Sequence, residues 1–217
     1  MTRLTCYSFS TPRQHDLYRS FLGSTDHQFD VRHQYAPREA RDLPHAWHLK
    51  AQFILGIVDN LSPDATFVYA DNDVLFLQPA QERLLELLGD RTAVFQDDGL
   101  GRINSGLFIA RNTSSFREFW GRVTSANRYY ATSDSGGDQA AANRHRSMID
   151  HHLLPRHEFY SPCVELKGYA RHGWRPSRIP KGCLAYHACC VFMHDKGPVL
   201  EAVRELADLP RTAISSV

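Results

Sequence analysis

The chain has 217 residues, of which 42% are apolar, and its 25 Lys and Arg residues nearly balance its 24 Asp and Glu residues. This length and apolar content suit one domain with a substantial core. The balanced charge argues against a dedicated nucleic-acid or membrane-surface role, and no apolar run approaches the roughly 20 residues of a membrane-spanning helix.

Apolar periodicity and turn signals predict strands that alternate with helices along most of the chain. In chain order, strands are expected at 4–9, 29–35, 66–70, 92–96 and 105–110, and helices at 12–22, 45–60, 81–88, 114–123, 138–145 and 198–206. The C-terminal third, rich in His, Pro and Arg, is expected to be mostly irregular before its last helix. This alternation favours an α/β fold with a mixed, mainly parallel sheet, whose ligands bind beyond the carboxyl ends of strands.

The segment FVYADNDVLFLQP, residues 67–79, is the most informative in the chain. Two apolar runs flank Asp71 and Asp73, and clustered carboxylates between buried strands are costly unless something compensates their charge. Mg²⁺ or Mn²⁺ would compensate it, because these cations prefer carboxylate oxygens and leave positions open for phosphate. We therefore expect a metal–diphosphate site, while the alternative is a polar turn after a strand.

Four further features accompany the acidic pair. They are Lys50 on the helix before it, the segment Asn104-Ser105-Gly106 before an apolar run, the segment Gly136-Gly137-Asp138-Gln139 that opens a helix, and a tail with His187, His194 and Lys196.

In this order the segments ADND, NSGLFIARN, GGDQAAAN and YHACCV…K resemble those of nucleotide-sugar glycosyltransferases with the GT-A fold, glycogenin-like enzymes among them. The resemblance spans roughly residues 45–200. It implies a single GT-A domain over residues 1–217. Residues 1–110 would form mainly the nucleotide-sugar and metal half, and residues 111–217 the acceptor side with a C-terminal metal and phosphate element.

The resemblance also implies the ligands of the metal, Mn²⁺ or Mg²⁺. Asp73 would bind the ion directly, and Asp71 would bind it or contact the donor. His187 would be the third ligand, since neutral imidazole suits Mn²⁺ beside carboxylates. His194 is the competing ligand, and a hydrogen-bonded core histidine is the alternative for His187.

Further residues would hold the donor and carry the reaction. Lys196 would contact a diphosphate oxygen and Lys50 would contact the donor, although both could be surface lysines. Asn104, Ser105 and Gly106 would face the donor sugar, with Gly106 allowing close backbone approach. In the following helix, Asp138 would bind sugar hydroxyls and Gln139 would lie near the anomeric carbon, while a helix cap is an alternative role for Asp138. The pair Asp97-Asp98 is better explained as an acidic loop than as a sugar contact.

These features predict a metal-dependent transferase that moves a sugar from a nucleotide-diphosphate donor, with UDP-sugar favoured, to a glycan or other hydroxyl acceptor. No Asp or Glu stands out as the general base of an inverting transferase, and together with the resemblance of the NSG and GGDQ segments this favours retention of anomeric configuration. Closure of the loop at 131–137 would exclude water. The rival functions are a nucleotidyltransferase, for which the first strand lacks a Gly-rich basic loop, and a non-catalytic sugar or nucleotide-binding module. No nucleic-acid partner and no membrane span are expected.

The cysteines and the N-terminal residues bear on the compartment. Five cysteines form an odd set, with Cys189 next to Cys190 and without a C-x-x-C pair. This pattern differs from a secreted disulfide framework or a structural zinc site. The first residues also lack the long apolar segment of a signal peptide. We therefore expect a cytoplasmic protein.

Overall fold

The computed structural model describes residues 2–36, 40, 42–129, 137–166 and 169–209. Its strands are β1 (Thr5–Ser10), β2 (Asp30–Tyr35), β3 (Thr66–Ala70), β4 (Val74–Phe76), β5 (Ala93–Asp97), β6 (Ile103–Arg111), β7 (His151–Leu153), β8 (Phe159–Tyr160) and β9 (Ala185–His187). Its helices are α1 (His15–Thr25), α2 (Leu43–Asn60), α3 (Gln81–Leu88), α4 (Ser114–Tyr129), α5 (Gly137–His145), α6 (Cys163–Leu166) and α7 (Met193–Leu206).

Six strands form the main sheet in the order β2-β1-β3-β6-β5-β7. β1 is parallel to β2 and β3, and β5 is parallel to β7. β6 is antiparallel to both of its neighbours, β3 and β5. The expected mixed, mainly parallel α/β sheet is therefore confirmed.

The central strands β3, β5 and β6 are buried on both faces of the sheet, which explains the apolar runs that they contain. Phe67 and Tyr69 of β3 pack into a core with residues of α2, α4 and α5. Their neighbours Val68 and Ala70 point to the opposite face and pack with residues of α1 and α3. The end of β3 is thus fixed from both sides, and Asp71 follows at that end.

The helix α2 begins with local signals that the sequence contains. The side chain of Asp42 accepts a hydrogen bond from the backbone N–H of His45 at 2.8 Å, which is N-cap geometry, and Pro44 lies in the first turn. Buried Ala51, Ile54 and Val58 anchor the helix in the core. This anchoring fixes the position of Lys50 on the same helix.

A second, three-stranded sheet has the order β4-β9-β8. β4 is antiparallel to β9, and Val74 pairs with His187. In addition, the N–H of Ala188 donates to the carbonyl of Asp73 at 2.9 Å. The pairing brings the end of β9 beside the acidic pair, although more than 100 residues separate them in sequence.

The ladder between β5 and β6 is irregular where it approaches this region. Phe95 pairs with Phe108, but the next residue, Gln96, pairs with Asn104. Three residues of β6, Ser105, Gly106 and Leu107, therefore lie between successive partners. Such irregularities turn side chains out of the regular strand pattern.

The structure refines several sequence expectations in the second half of the chain. The segment before α7 contains three short strands, β7, β8 and β9, which the sequence pattern did not predict. The last helix begins at Met193, not at Pro198, which lies inside it. The predicted loop at 131–137 falls, except for Gly137, outside the described residues. Among the described residues, no helix is long and apolar enough to cross a membrane.

Candidate metal and donor site

Three predicted ligands converge at the carboxyl end of β3. Nε2 of His187 lies 3.2 Å from Oδ1 of Asp73 and 4.0 Å from Oδ2 of Asp71. One ligand atom from each of the three residues lies within 4.8 Å of the others. Asp73 and His187 are buried, and Asp71 is partly exposed. The site is therefore open on the side of Asp71.

Gln96 fixes the orientation of the His187 ring. Its amide nitrogen lies 3.3 and 3.4 Å from the carbonyl oxygens of Phe159 and Tyr160, so Oε1 faces the histidine. Nδ1 of His187 lies 2.5 Å from this oxygen and must donate to it. In neutral histidine the lone pair of Nε2 then points at Asp73, as required of a metal ligand.

Gly106 makes room for two of the three ligands. A Cβ atom at this position would lie 2.2 Å from Cε1 of His187 and 2.7 Å from Oδ2 of Asp71. The backbone carbonyl of Gly106 also accepts a hydrogen bond from the N–H of Asp71 at 2.7 Å. A glycine is therefore required here by the ligand side chains themselves, which is a firmer reason than the expected approach to a donor sugar.

Lys50 links the acidic pair to α5. Its ammonium group lies 2.9 Å from Oδ2 of Asp71 and 3.1 Å from Oδ2 of Asp138. The hydroxyl of Ser105 donates to the same oxygen of Asp138 at 2.7 Å. Burial alone would lower the pKa of Lys50, but Asp138 and Asp71 raise it above its ordinary value, so the lysine is charged. Lys50, Ser105 and Asp138 are thus brought together with Asp71.

Lys196, in the first turn of α7, forms an ion pair with Oδ2 of Asp73. Burial alone would raise the pKa of Asp73, but Lys196 and His187 hold it well below its usual range. Burial would likewise lower the pKa of His187, whereas Cys189 and Asp73 raise it to about 10. The carboxylate of Asp73 is therefore ionised and attracts cations from two sides.

These residues fit a hard divalent cation. Asp71 and Asp73 supply anionic oxygens, His187 supplies a nitrogen whose tautomer Gln96 sets, and Gly106 leaves the space that they need. Because the pKa of His187 is raised, a bound cation would have to displace a proton from Nε2. With His187 then neutral, the three carboxylates of Asp71, Asp73 and Asp138 exceed the two lysines by one negative charge. A bound divalent cation would therefore leave the cluster with one net positive charge, which suits an anionic ligand such as a diphosphate.

Other predicted site residues lie at the margin of the cluster. The side-chain oxygen of Asn104 accepts the N–H of Gly106 at 2.8 Å, and its amide nitrogen lies 3.4 Å from the sulfur of Cys189. The amide of Gln139 lies 3.5 Å from Oδ2 of Asp98 and is not among the groups around Asp71. His194, the competing ligand, is instead grouped with His172 and Asp195.

The acidic pair Asp97 and Asp98 organises a loop. Asp97 accepts the backbone N–H groups of Gly99 and Gly101, and Asp98 accepts that of Leu100. In addition, Asp97 pairs with Arg156 and Asp98 with Arg102, each at 2.8 Å. This agrees with the expectation of an acidic loop.

Two residues of the site were not predicted from the sequence. Besides Gln96, Tyr69 donates a hydrogen bond from its hydroxyl to Oδ1 of Asp71 at 2.8 Å. The signal for Gln96 is an amide side chain that directly follows the apolar run AVF in a buried strand, because buried polar groups need partners. Tyr69 offers no comparable signal, since tyrosine is common in strands.

Three cysteines lie next to the site. Cys163 and Cys190 form a disulfide, which the cysteine pattern did not predict. The thiol of Cys189 lies 3.1 Å from the sulfur of Cys163 and 2.7 Å from the hydroxyl of Ser161. The cytoplasmic location stays a prediction.

Comparison with solved structures identifies the fold. No protein-family model and no curated protein sequence matches this chain. A glycosyltransferase involved in glycosylation of the major capsid of PBCV-1 superimposes with a TM-score of 0.67 at 12% identity, over 92% of this chain and 99% of that one. The galactosyltransferase LgtC, solved with donor and acceptor sugar analogs, gives 0.59 at 13% identity over 98% of both chains.

A third similar structure is mouse xyloside xylosyltransferase 1, with a TM-score of 0.53 at 12% identity over 87% of this chain and 98% of that one. At this level of identity the similarity establishes the architecture, and function must be argued from the site itself. The expected fold is confirmed: this chain has the GT-A fold of nucleotide-sugar glycosyltransferases.

Proposed function

We propose that this protein is a metal-dependent glycosyltransferase, which transfers a sugar from a nucleotide-diphosphate donor to a hydroxyl group of an acceptor. The observation that carries the proposal is the convergence of Asp71, Asp73 and His187 beside Lys196 at the carboxyl end of β3. Ligands of open α/β sheets bind at such strand ends. A UDP-sugar is the favoured donor, and a glycan the favoured acceptor.

Asp71, Asp73 and His187 would hold Mn²⁺ or Mg²⁺. The ion would neutralise charge on the donor diphosphate as the glycosidic bond breaks. Lys196 pairs with Oδ2 of Asp73, whereas His187 faces Oδ1, so its ammonium group is close enough to the carboxylate cluster to contact a diphosphate oxygen as well. In this role it would stabilise the departing nucleoside diphosphate.

Asp138 is the best-positioned residue for the donor sugar. Lys50 and Ser105 hold its carboxylate at 3.1 and 2.7 Å, so its orientation is set before a ligand arrives. Asn104 lies near, and Gln139 follows Asp138 on α5; we propose that they contact the sugar as well. Gln139 would have to leave Asp98, which its amide contacts at 3.5 Å.

The charges around the cluster support retention of anomeric configuration. Inversion requires a carboxylate base that is free to accept the acceptor proton. The carboxylates that line the cluster in the described part of the chain are Asp71, Asp73 and Asp138, and each of them contacts a lysine. None is therefore placed as an unpaired base. Analysis of the product anomer by NMR tests this proposal.

We further propose that residues 1–110 bind mainly the donor and that residues 111–217 supply the acceptor side. His187 and Lys196 support the view that the second half also completes the metal and phosphate site. Residues 131–136, the larger part of the expected closing loop, lie outside the described residues.

The test is a panel of nucleotide sugars and simple glycan acceptors with Mn²⁺, in which released nucleotide and glycosylated product are both measured. We expect one donor to give stoichiometric nucleoside diphosphate and transferred sugar. Asp73→Asn should lower kcat/KM by a factor of about 100 or more, because it removes an anionic ligand. The exposed residue Asp90 provides the matched control, Asp90→Asn, which should keep full activity.

The rival functions give different products. Release of pyrophosphate would indicate a nucleotidyltransferase. Donor binding without turnover, unaffected by chelators, would indicate a binding module. Full transferase activity of Asp73→Asn would refute the assignment of the metal site.

A further inference from the structure

A second cluster of metal-ligand side chains lies where the chain enters α7. Nδ1 of His172 lies 2.8 Å from Oδ2 of Asp195 and 2.8 Å from Nε2 of His194. Nε2 of His194 lies 3.3 Å from the same carboxylate oxygen. The three atoms thus form a small triangle, which involves none of the residues assigned above to the donor or its metal.

Hydrogen bonds cannot satisfy this triangle. Each ring nitrogen carries at most one hydrogen and an ionised carboxylate carries none, so at most two of the three contacts can be hydrogen bonds. In the remaining contact, two lone pairs or two hydrogens face each other, which is repulsive. A cation at the centre would face three lone pairs and satisfy all of them at once.

We propose that His172, His194 and Asp195 bind a divalent transition-metal ion, with Zn²⁺ as the best match. Two imidazole nitrogens and one carboxylate oxygen are a ligand set typical of zinc, with a fourth position open to water. Zn–N distances of about 2.0–2.1 Å place tetrahedral ligand atoms roughly 3.4 Å apart. The 3.3 Å contact of His194 with Asp195 already matches this spacing, and the two contacts of 2.8 Å must widen by about half an ångström.

The surroundings allow that movement. The side chains of His172 and His194 are 76% and 62% exposed, so both rings can rotate without disturbing the core. The carboxylate of Asp195 is only 6% exposed and is held by the N–H of Gly173 at 3.3 Å. Arg175 lies 3.7 Å from its other oxygen, Oδ1, and leaves Oδ2 available to the ion.

The ion would connect two segments that are distant in sequence. His172 belongs to the loop before β9, while His194 and Asp195 lie in the first turn of α7. Lys196, which pairs with Asp73, follows Asp195 directly. Zinc at this second site would therefore fix the start of the helix that carries Lys196, and its role would be structural.

The test uses Zn²⁺ alone and the full chain, and measures bound zinc by equilibrium dialysis together with the thermal midpoint Tm. The double variant His172→Gln, His194→Gln removes both nitrogens. The matched control is His27→Gln, His157→Gln, which removes two other exposed histidines, with side chains 55% and 69% exposed. All three proteins keep Asp71, Asp73 and His187. Any zinc bound by these residues therefore contributes equally to the measured stoichiometry of each protein.

At zinc concentrations near that of the protein, wild type and control should bind one more Zn²⁺ per chain than the double variant. At about 100 times the dissociation constant, this ion should raise Tm by roughly 5–10 °C more than in the double variant. Equal stoichiometry and equal Tm shifts in all three proteins would overturn the proposal. So would binding that appears only at large excess, as any surface histidine pair shows.

Anomalous scattering from zinc-soaked wild-type crystals provides a test that does not depend on the folding of a variant. The expected peak lies between Nδ1 of His172 and Nε2 of His194. Absence of a peak there would overturn the proposal. Neither assay requires sugar transfer, so the result is independent of the proposed function.

Discussion

The side chain of Gln96 accepts a hydrogen bond from Nδ1 of His187 at 2.5 Å, and this contact sets the tautomer of a histidine 91 residues away in sequence. Gln96 is itself held by the carbonyls of Phe159 and Tyr160. A chain of contacts therefore runs from β8 through β5 to the candidate metal ligand.

We expect Gln96→Leu to lower Mn²⁺ affinity by roughly 10- to 100-fold, because such outer contacts orient metal-ligating histidines. Gln96→Glu keeps an acceptor oxygen and should retain more of the affinity than the leucine variant. Titration of Mn²⁺ followed by electron paramagnetic resonance measures the affinity of each variant. Unchanged affinity in Gln96→Leu would show that His187 does not need this partner or does not bind the ion.

A second prediction concerns the space beside the ligands. Gly106→Ala places a methyl group 2.2 Å from Cε1 of His187, so the ring must move. We expect at least tenfold weaker Mn²⁺ binding and a loss of about 1–3 kcal/mol in the free energy of unfolding.

The control for Gly106→Ala is Gly121→Ala in α4, where an added Cβ meets nothing within 4 Å. That variant should gain up to about 1 kcal/mol in stability, as expected for glycine in a helix, with unchanged Mn²⁺ binding. Equal behaviour of the two variants in urea denaturation and Mn²⁺ titration would contradict the packing argument.

A third prediction separates metal binding from catalysis. Lys50→Met removes a cation that lies 2.9 Å from Asp71, so Mn²⁺ should bind about tenfold more tightly. The same change releases the carboxylate of Asp138, so sugar transfer should fall. Lys181→Met, at an exposed lysine, should leave both quantities unchanged. Weaker Mn²⁺ binding in Lys50→Met would mean that this lysine supports the ion instead of competing with it.

A fourth prediction concerns pH. Burial, with a smaller contribution from His15, lowers the pKa of His33 from its ordinary 6.5 to about 4. Between these values the unfolded chain binds more protons than the folded one, so this residue's contribution to stability is lost as pH falls from about 6.5 to 4. The ring is only half-buried, which limits the loss to about 1–2 kcal/mol.

The variant His33→Asn should therefore show a shallower decrease of the unfolding free energy between pH 7 and pH 5 than wild type. Urea denaturation at both pH values measures it, and His157→Asn, at an exposed histidine, is the control. If His33→Asn and wild type lose the same stability over this range, the ring is protonated as easily in the folded protein as in the unfolded one.

The elements with strong local signals were predictable from the sequence. The strand expected at 66–70 and the helix expected at 81–88 coincide with β3 and α3, because a buried apolar run and a helical apolar face mark them. The strands β7, β8 and β9 have only two or three residues and exist through pairing with distant strands. Periodicity cannot reveal such elements.

The residues of the site also divide into those that the sequence pattern could reveal and those whose contacts depend on the fold. Asp71 and Asp73 could be recognised because they are neighbours between two apolar runs, whereas the contact of Gln96 with His187 depends on the fold. Asp138 points into the cluster, but Gln139 lies one residue further around a helix of 3.6 residues per turn and contacts Asp98. Sequence adjacency alone could not separate these two side chains, and the catalytic role of Gln139 stays a prediction.

The most direct test of the proposed metal and donor site is a crystal structure with Mn²⁺ and a nucleoside diphosphate, in which anomalous scattering locates the ion. We expect one peak within roughly 2.0–2.3 Å of carboxylate oxygens of Asp71 and Asp73 and of Nε2 of His187, with the diphosphate next to it. Diphosphate bound elsewhere, or bound here without an ion among these three side chains, would contradict the proposal.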